Sequence, residues 1–165
     1  MEQAKAVGDY LLFETIGKGQ FGHVCLAKKR GEPHMRESSQ VYACKVVSIR
    51  NKSPRQIVEM EKEVQILSRL EHPNIIKLHQ ALRTQNNLYL FMDYCDEGDL
   101  KGFIRKVESI RRADGQGERP QLTEQEARYV ISQVVESMRF LNLHNIVHRD
   151  LKIDNILVRR KPNIS

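Results

Sequence analysis

The sequence predicts an α+β fold: a five-stranded antiparallel sheet with one helix inserted into it, followed by a mostly helical part. Three observations carry this. Short apolar runs rich in β-branched and aromatic residues recur up to about residue 94, separated by turn residues. They are interrupted once by a stretch of helical periodicity that opens on a capping box. Beyond residue 95 the apolar spacing is that of helices.

Residues 1–9 read as a flexible lead-in. Tyr10 to Ala27 gives two strands around Gly17-Lys18-Gly19-Gln20-Phe21-Gly22. Residues 28–40 are polar, with Gly31 and Pro33, and read as a loop; Val41–Ile49 is the third strand. Ser53 is the expected N-cap of the first helix, with Pro54 at its first position and Gln56 closing the capping box. Ile57, Met60, Val64 and Leu67 form its apolar stripe, and it should end near Leu70, before His72-Pro73. Strands are expected over 75–82 and 88–94, joined by a turn at Thr84–Asn87. A short helix over 99–107 precedes a polar, glycine-containing loop at 108–120. Thr123 and Glu126 form a second capping box, opening a long helix to Leu143 whose buried side is expected to carry Ala127, Val130, Ile131, Val134, Val135, Met138 and Leu141. A loop and the apolar run Ile156–Val158 follow.

Composition narrows the classes. Of the 165 residues 40% are hydrophobic and 29% charged, which suits a soluble domain with a core rather than a disordered chain. No apolar stretch is long enough to span a membrane, and the N-terminus lacks a signal core, so secretion is not expected. The three cysteines, Cys25, Cys44 and Cys95, show neither a CxxC pair nor a Cys/His cluster, which argues against zinc and a disulfide framework and for a reducing compartment. The net charge of +6 is scattered in short groups without interleaved aromatics, so no nucleic-acid or membrane partner is expected.

The glycine run is open to more than one reading. Dinucleotide sites also use GxGxxG, but there the glycines open a helix; here His23-Val24-Cys25-Leu26-Ala27 is strand-like. A hairpin folded over a triphosphate fits, and so does an ordinary glycine-rich hairpin. On the third strand, alternation sets Val41, Ala43, Lys45 and Val47 on one face. A lysine among small apolar residues either pairs with an anion or snorkels to water. Glu63, one turn from Met60 and Leu67, borders the first helix's stripe and could supply a carboxylate, or be solvated surface. The densest signal is His148-Arg149-Asp150-Leu151-Lys152-Ile153-Asp154-Asn155. An acid to accept a hydroxyl proton, a lysine to neutralise a moving phosphoryl group and an amide to bind magnesium stand within six positions there. A solvated polar loop is the plain alternative.

Taken together and in order, Gly17-x-Gly19-x-x-Gly22-x-Val24, Tyr42-Ala43-Cys44-Lys45 and His148-Arg149-Asp150-Leu151-Lys152-x-x-Asn155 resemble the signatures of the protein kinase family. Leu70-Glu71-His72-Pro73-Asn74-Ile75-Ile76 is similar to the family's segment after the first helix. The resemblance runs from about Tyr10 onward. It implies an N-lobe over 10–94, then a hinge and an incomplete helical C-lobe over 95–165. Its activity would be ATP-dependent phosphoryl transfer to protein serine or threonine, with ATP and Mg²⁺ as cofactors. Lys152 after Asp150 is of the serine/threonine type. Asp150 would be the base, Lys152 the charge stabiliser, Asn155 the metal ligand and Lys45–Glu63 the phosphate clamp. The glycine loop (Gly17, Lys18, Gly19, Gln20, Phe21, Gly22) would cover the phosphates. Val24, Ala43 and Leu157 would sandwich adenine under Ile16, with Met92 behind; Asp93 and Cys95 would present hinge backbone, and Asp99 would reach ribose. Leu67, Leu78 and His148 would join an apolar column linking the lobes. The partners implied are ATP, a protein substrate, and another kinase or a regulatory subunit, in the cytoplasm or nucleus.

Cys44 departs mildly from the family pattern, as does Ile153-Asp154. No Asp-Phe-Gly or Ala-Pro-Glu follows before Ser165. This chain alone is therefore not expected to turn over, and its long helix is expected to expose apolar surface. The alternative reading is a non-catalytic nucleotide-binding or scaffold fragment of a kinase.

Overall fold

The computed structural model describes residues 4–19, 22–31, 40–113 and 122–160. It divides into two compact units, Met1–Tyr94 and Cys95–Ser165.

The first unit is an antiparallel sheet of six strands: β1 (Lys5–Val7), β2 (Tyr10–Gly19), β3 (Gly22–Lys29), β4 (Val41–Ser48), β5 (Leu78–Arg83) and β6 (Asn87–Asp93), ordered β1-β2-β3-β4-β6-β5. The sixth strand is β1, from the stretch read as flexible lead-in. Gly8 turns at φ 55° so that Lys5–Val7 pairs back along Leu12–Tyr10, and Val7 is buried. The later strands begin close to their expected places, although β5 starts at Leu78 rather than 75. The turn before β6 is closed by Thr84 N–H donating to Asn87 O (2.9 Å) and Asn87 N–H donating to Thr84 Oγ1 (3.2 Å).

Two apolar clusters follow the pleat. On one face Tyr10, Leu12, Cys25, Ala27, Tyr42, Cys44, Val46, Tyr89 and Phe91 are buried together. Phe91 is 0% exposed and stacks on Tyr10 at 3.9 Å between centroids, while Tyr42 meets Tyr10 edge-on at 5.4 Å. On the other face Val47, Ile49, Leu78, Leu88 and Leu90 receive Ile57, Met60 and Val64 from helix α1 (Pro54–Leu67). The Ser53/Gln56 capping box is formed. The helix stops at Leu67, three residues before the expected Leu70, and Leu67 itself is 40% exposed.

The second unit holds α2 (Leu100–Ala113), α3 (Glu124–Leu143) and a single 3₁₀ turn at Ile153–Asn155. Helix α2 runs past residue 107 into a stretch expected to be loop. Its last turn is held by Arg112–Glu108 (2.5 Å) and by Arg111, whose guanidinium donates to both oxygens of Glu126 (2.8 and 3.0 Å). These charge pairs outweigh the polar look of Ser109–Arg112. The rest of the expected loop falls mostly outside the described residues. Thr123 and Glu126 form the second capping box. On α3, Leu141 and Ser137 are buried, but Ile131 and Val135 are each 58% exposed, so part of the expected inner face points outward.

Candidate functional site

The glycine run forms the end of β2 and the start of β3, with Gly19 opposite Gly22, Lys18 opposite His23 and Gly17 opposite Val24. Gln20 and Phe21 lie outside the described residues. Gly22 is the position that must be glycine: φ is +147°, and a Cβ there would stand 1.9 Å from Val46 O. Two register shifts lie on either side of Thr15, between Leu12 and Thr15 and between Thr15 and Gly17; Ile16, 43% exposed, falls in the second.

Register carries the site across the sheet. Val24 faces Lys45, and Lys45 faces Leu90; Leu26 faces Ala43, and Ala43 faces Met92. Directly opposed residues share a face, so Val24 and Met92 stand on the face of Ala43 and Lys45, the two that strand alternation had already put together. Leu26 joins them, a residue the motifs gave no reason to single out. Lys45 is half-buried and makes no ion pair among the described residues. Glu63 is exposed. The expected Lys45–Glu63 clamp is therefore not formed. Ile57, Met60 and Val64 take the inward side of α1, and Glu63 beside them turns to water. Another glutamate of that helix, Glu61, is tied to the sheet by Arg83 Nη1 at 2.6 Å.

At the end of β6, Asp93 pairs with Tyr42 of β4, and its N–H donates to Lys77 O (3.1 Å). Its carboxylate contacts His79 Nε2 at 2.7 Å.

In the second unit, Asp99 caps α2 through Oδ1, which accepts from Gly102 N–H (2.8 Å). The same residue forms an antiparallel bridge with Leu157, itself 43% exposed. Two residues expected to serve adenine and ribose thus stand beside one another. Cys95 is half-buried, and its carbonyl accepts from Gly98 N–H (3.3 Å).

The loop at 148–155 folds around Asp150. Arg149 is held at φ 65°, a left-handed conformation that costs a non-glycine residue about 1–2 kcal/mol. Asp150 N–H is shared between His148 O (2.9 Å) and His148 Nδ1 (3.3 Å). Lys152 Nζ lies 3.0 Å from Asp150 Oδ1, and Asn155 Nδ2 donates to Asp150 Oδ2 (2.8 Å) and O (2.7 Å). The Lys152 hydrogen bond, then that of Asn155, holds the Asp150 carboxyl below its usual range, so it is an ionised acceptor at neutral pH. With both hydrogens of the Asn155 amide turned to Asp150, its oxygen is the atom that can face a cation. Among the described residues no group of three or more His, Cys, Asp or Glu could hold a metal ion, so any cation here would rely on Asn155 and on oxygens brought by a ligand.

Among the described residues no helix is long and apolar enough to cross a membrane. A family model for the protein kinase domain matches residues 10–165. The chain is 34% identical over 152 residues (92% of its length) to the probable serine/threonine-protein kinase MARK-A of Dictyostelium discoideum. It is 35% identical over 161 residues (98%) to the serine/threonine-protein kinase ATG1a of Arabidopsis thaliana. To the NUAK family SNF1-like kinase 2 of Rattus norvegicus it is 33% identical over 158 residues (94%). It spans 13%, 23% and 22% of those three relatives. With a family model covering all but its first nine residues, and relatives 33–35% identical over more than nine-tenths of its length, the chain belongs to the protein kinase family.

Proposed function

We propose that the protein transfers the γ-phosphoryl group of ATP to serine or threonine side chains of other proteins. The observation that carries this reading is the Asp150 cluster. One carboxylate oxygen is 3.0 Å from an ammonium and the other accepts from an amide at 2.8 Å, in a loop whose backbone is strained to hold them. In this reading Asp150 orients the substrate hydroxyl and takes its proton, and Lys152 offsets negative charge on the phosphoryl group as it moves. Asn155 would hold Mg²⁺ through its amide oxygen; the ion, when bound, neutralises phosphate charge. Lys45, half-buried and without a carboxylate partner among the described residues, is suited to a phosphate oxygen, and the Gly17–Gly22 hairpin to the rest of the triphosphate. Val24, Ala43 and Leu157 would enclose adenine, with Ile16 above it and Met92 behind. Asp93 and Cys95 would meet the base through backbone groups, and Asp99 would meet the ribose.

Full-length protein incubated with γ-labelled ATP, Mg²⁺ and a serine- and threonine-containing protein is expected to label those residues, and Asp150→Asn to abolish the transfer while leaving ATP binding intact. Transfer indifferent to Asp150→Asn would overturn the proposal. The open Lys45–Glu63 pair favours a second reading, a nucleotide-binding module without chemistry. It predicts ATP binding with no transfer by the full-length protein under any of these conditions.

A further inference from the structure

Residues following Asn155 run back along residues 97–100 as a short antiparallel ladder. Leu100 N–H donates to Ile156 O (2.8 Å), Val158 N–H to Gly98 O (2.8 Å) and Glu97 N–H to Val158 O (3.2 Å), with Asp99 and Leu157 opposed between them. A two-stranded ladder this short is marginal by itself in water. Its far end carries additional ties. The Glu97 side chain is 7% exposed, and its carboxylate accepts from Lys106 Nζ on α2 (2.7 Å) and pairs with the Arg160 guanidinium. Asp96 takes the same arginine from the other side: Oδ1 accepts Arg160 N–H (3.0 Å), and Oδ2 lies 3.8 Å from Arg160 Nε. Arg160 is thus held by backbone and side chain at once, and Glu97 stands between the strand that carries Leu157 and the helix that follows Asp99.

A carboxylate this enclosed needs its cations; with either removed it would be under-compensated. The lysine first and then the arginine hold the Glu97 carboxyl below the usual glutamate range, so the clamp is charged at neutral pH. Nothing in the kinase signatures requires an acid at 97 or an arginine at 160. The tie joins the segment that carries Leu157 to the segment that carries Asp99, the two residues that would contact adenine and ribose.

We propose that Glu97 is a positioning residue for the nucleoside: gripping Arg160 and Lys106, it holds Leu157 and Asp99 in register for adenine and ribose. The proposal rests on the ATP-binding reading above. Loosening it should weaken nucleoside recognition and spare the chemistry.

The test is equilibrium binding of Mg-ATP, adenosine and inorganic tripolyphosphate to full-length protein, with steady-state kinetics alongside. Glu97→Gln is expected to raise the Kd for ATP and for adenosine by the same factor, about five- to tenfold, the net scale of one ordinary hydrogen bond. Tripolyphosphate affinity and kcat should stay within about twofold, since neither reads the nucleoside contacts. Arg160→Ala, on an exposed partner, should act in the same direction more weakly, and Arg160→Lys should restore most of the loss; these two variants carry the test if Glu97→Gln fails to fold. If wild-type protein binds neither ATP nor adenosine, the ATP-binding reading fails. If wild type binds both and the variants bind them equally well, or lose tripolyphosphate affinity and kcat in step, the positioning role fails.

Discussion

Replacing Gly22 by alanine tests the close approach on which the glycine hairpin is built. A Cβ at this position would lie 1.9 Å from Val46 O, 3.0 Å from Val46 C and 3.3 Å from Val47 Cα, all of them backbone atoms that no rotamer change can move. Reaching ordinary contact requires β3 and β4 to separate by about 1.5 Å at the mouth of the hairpin, where Gly22 pairs with Val47. The φ of +147° adds backbone strain of about 1–3 kcal/mol, and forced overpacking adds about 1–3 kcal/mol. The expected destabilisation is about 2–6 kcal/mol, a fall in Tm of about 4–24 °C for a domain of this size. Gly19, its partner across the same turn, supplies the control. Nothing lies within 4 Å of a Cβ there, so Gly19→Ala should leave Tm unchanged or raise it by a few degrees. Thermal unfolding of the two variants beside wild type reads the difference. If Gly22→Ala melts within about 2 °C of wild type, or if Gly19→Ala costs as much, the β3–β4 approach is not as described and the argument for this glycine fails.

Phe91→Ala removes the largest fully buried side chain and its stack on Tyr10; it should cost about 3–5 kcal/mol in urea unfolding, and a loss below about 1 kcal/mol would show the Tyr10 side of the sheet to be loosely packed. Glu126 is held at a pKa of about 2 against an ordinary 4.5, first by the Thr123 backbone N–H and then by Arg111. Its carboxylate therefore favours the folded state above pH 4.5, and that contribution is lost as pH falls toward 2. The Tm gap between wild type and Glu126→Gln should be widest near neutral pH and close toward pH 2, and a gap constant across that range would contradict the assignment. Burial pushes the Cys44 thiol up to about 12, with Cys25 adding to the shift, whereas Cys95 is half-buried. Native protein treated with iodoacetamide at pH 8 and analysed by mass spectrometry should be alkylated at Cys95 well before Cys44, and the reverse order would show that the core opens readily.

The parts of the fold legible in the sequence were those fixed by local chemistry. Both capping boxes, the Thr84–Asn87 turn and the face shared by Val41, Ala43, Lys45 and Val47 follow from spacing alone, and the structure forms each of them. The Asp150–Lys152–Asn155 cluster was legible for the same reason, since three polar groups within six residues can meet without long-range help. Features set by distant partners were not. β1 exists because Lys5–Val7 finds the free edge of β2, and α2 is extended by a guanidinium reaching Glu126 on another helix. Glu63 borders the apolar stripe as its spacing says, but periodicity cannot tell which flank of a stripe turns to water; the docking of Ile57, Met60 and Val64 decides it. Glu97 stands in the polar run Asp96-Glu97-Gly98-Asp99, where nothing local separates a surface acid from an enclosed one. Its role depends on Arg160, 63 residues away.

Labelling with an acyl-phosphate derivative of ATP, which acylates lysines placed beside bound phosphates, tests the central claim most directly. Peptide mapping is expected to find the label on Lys45 and Lys152, with both protected by excess ATP. Label spread over exposed lysines such as Lys62 and Lys101, and indifferent to ATP, would contradict it.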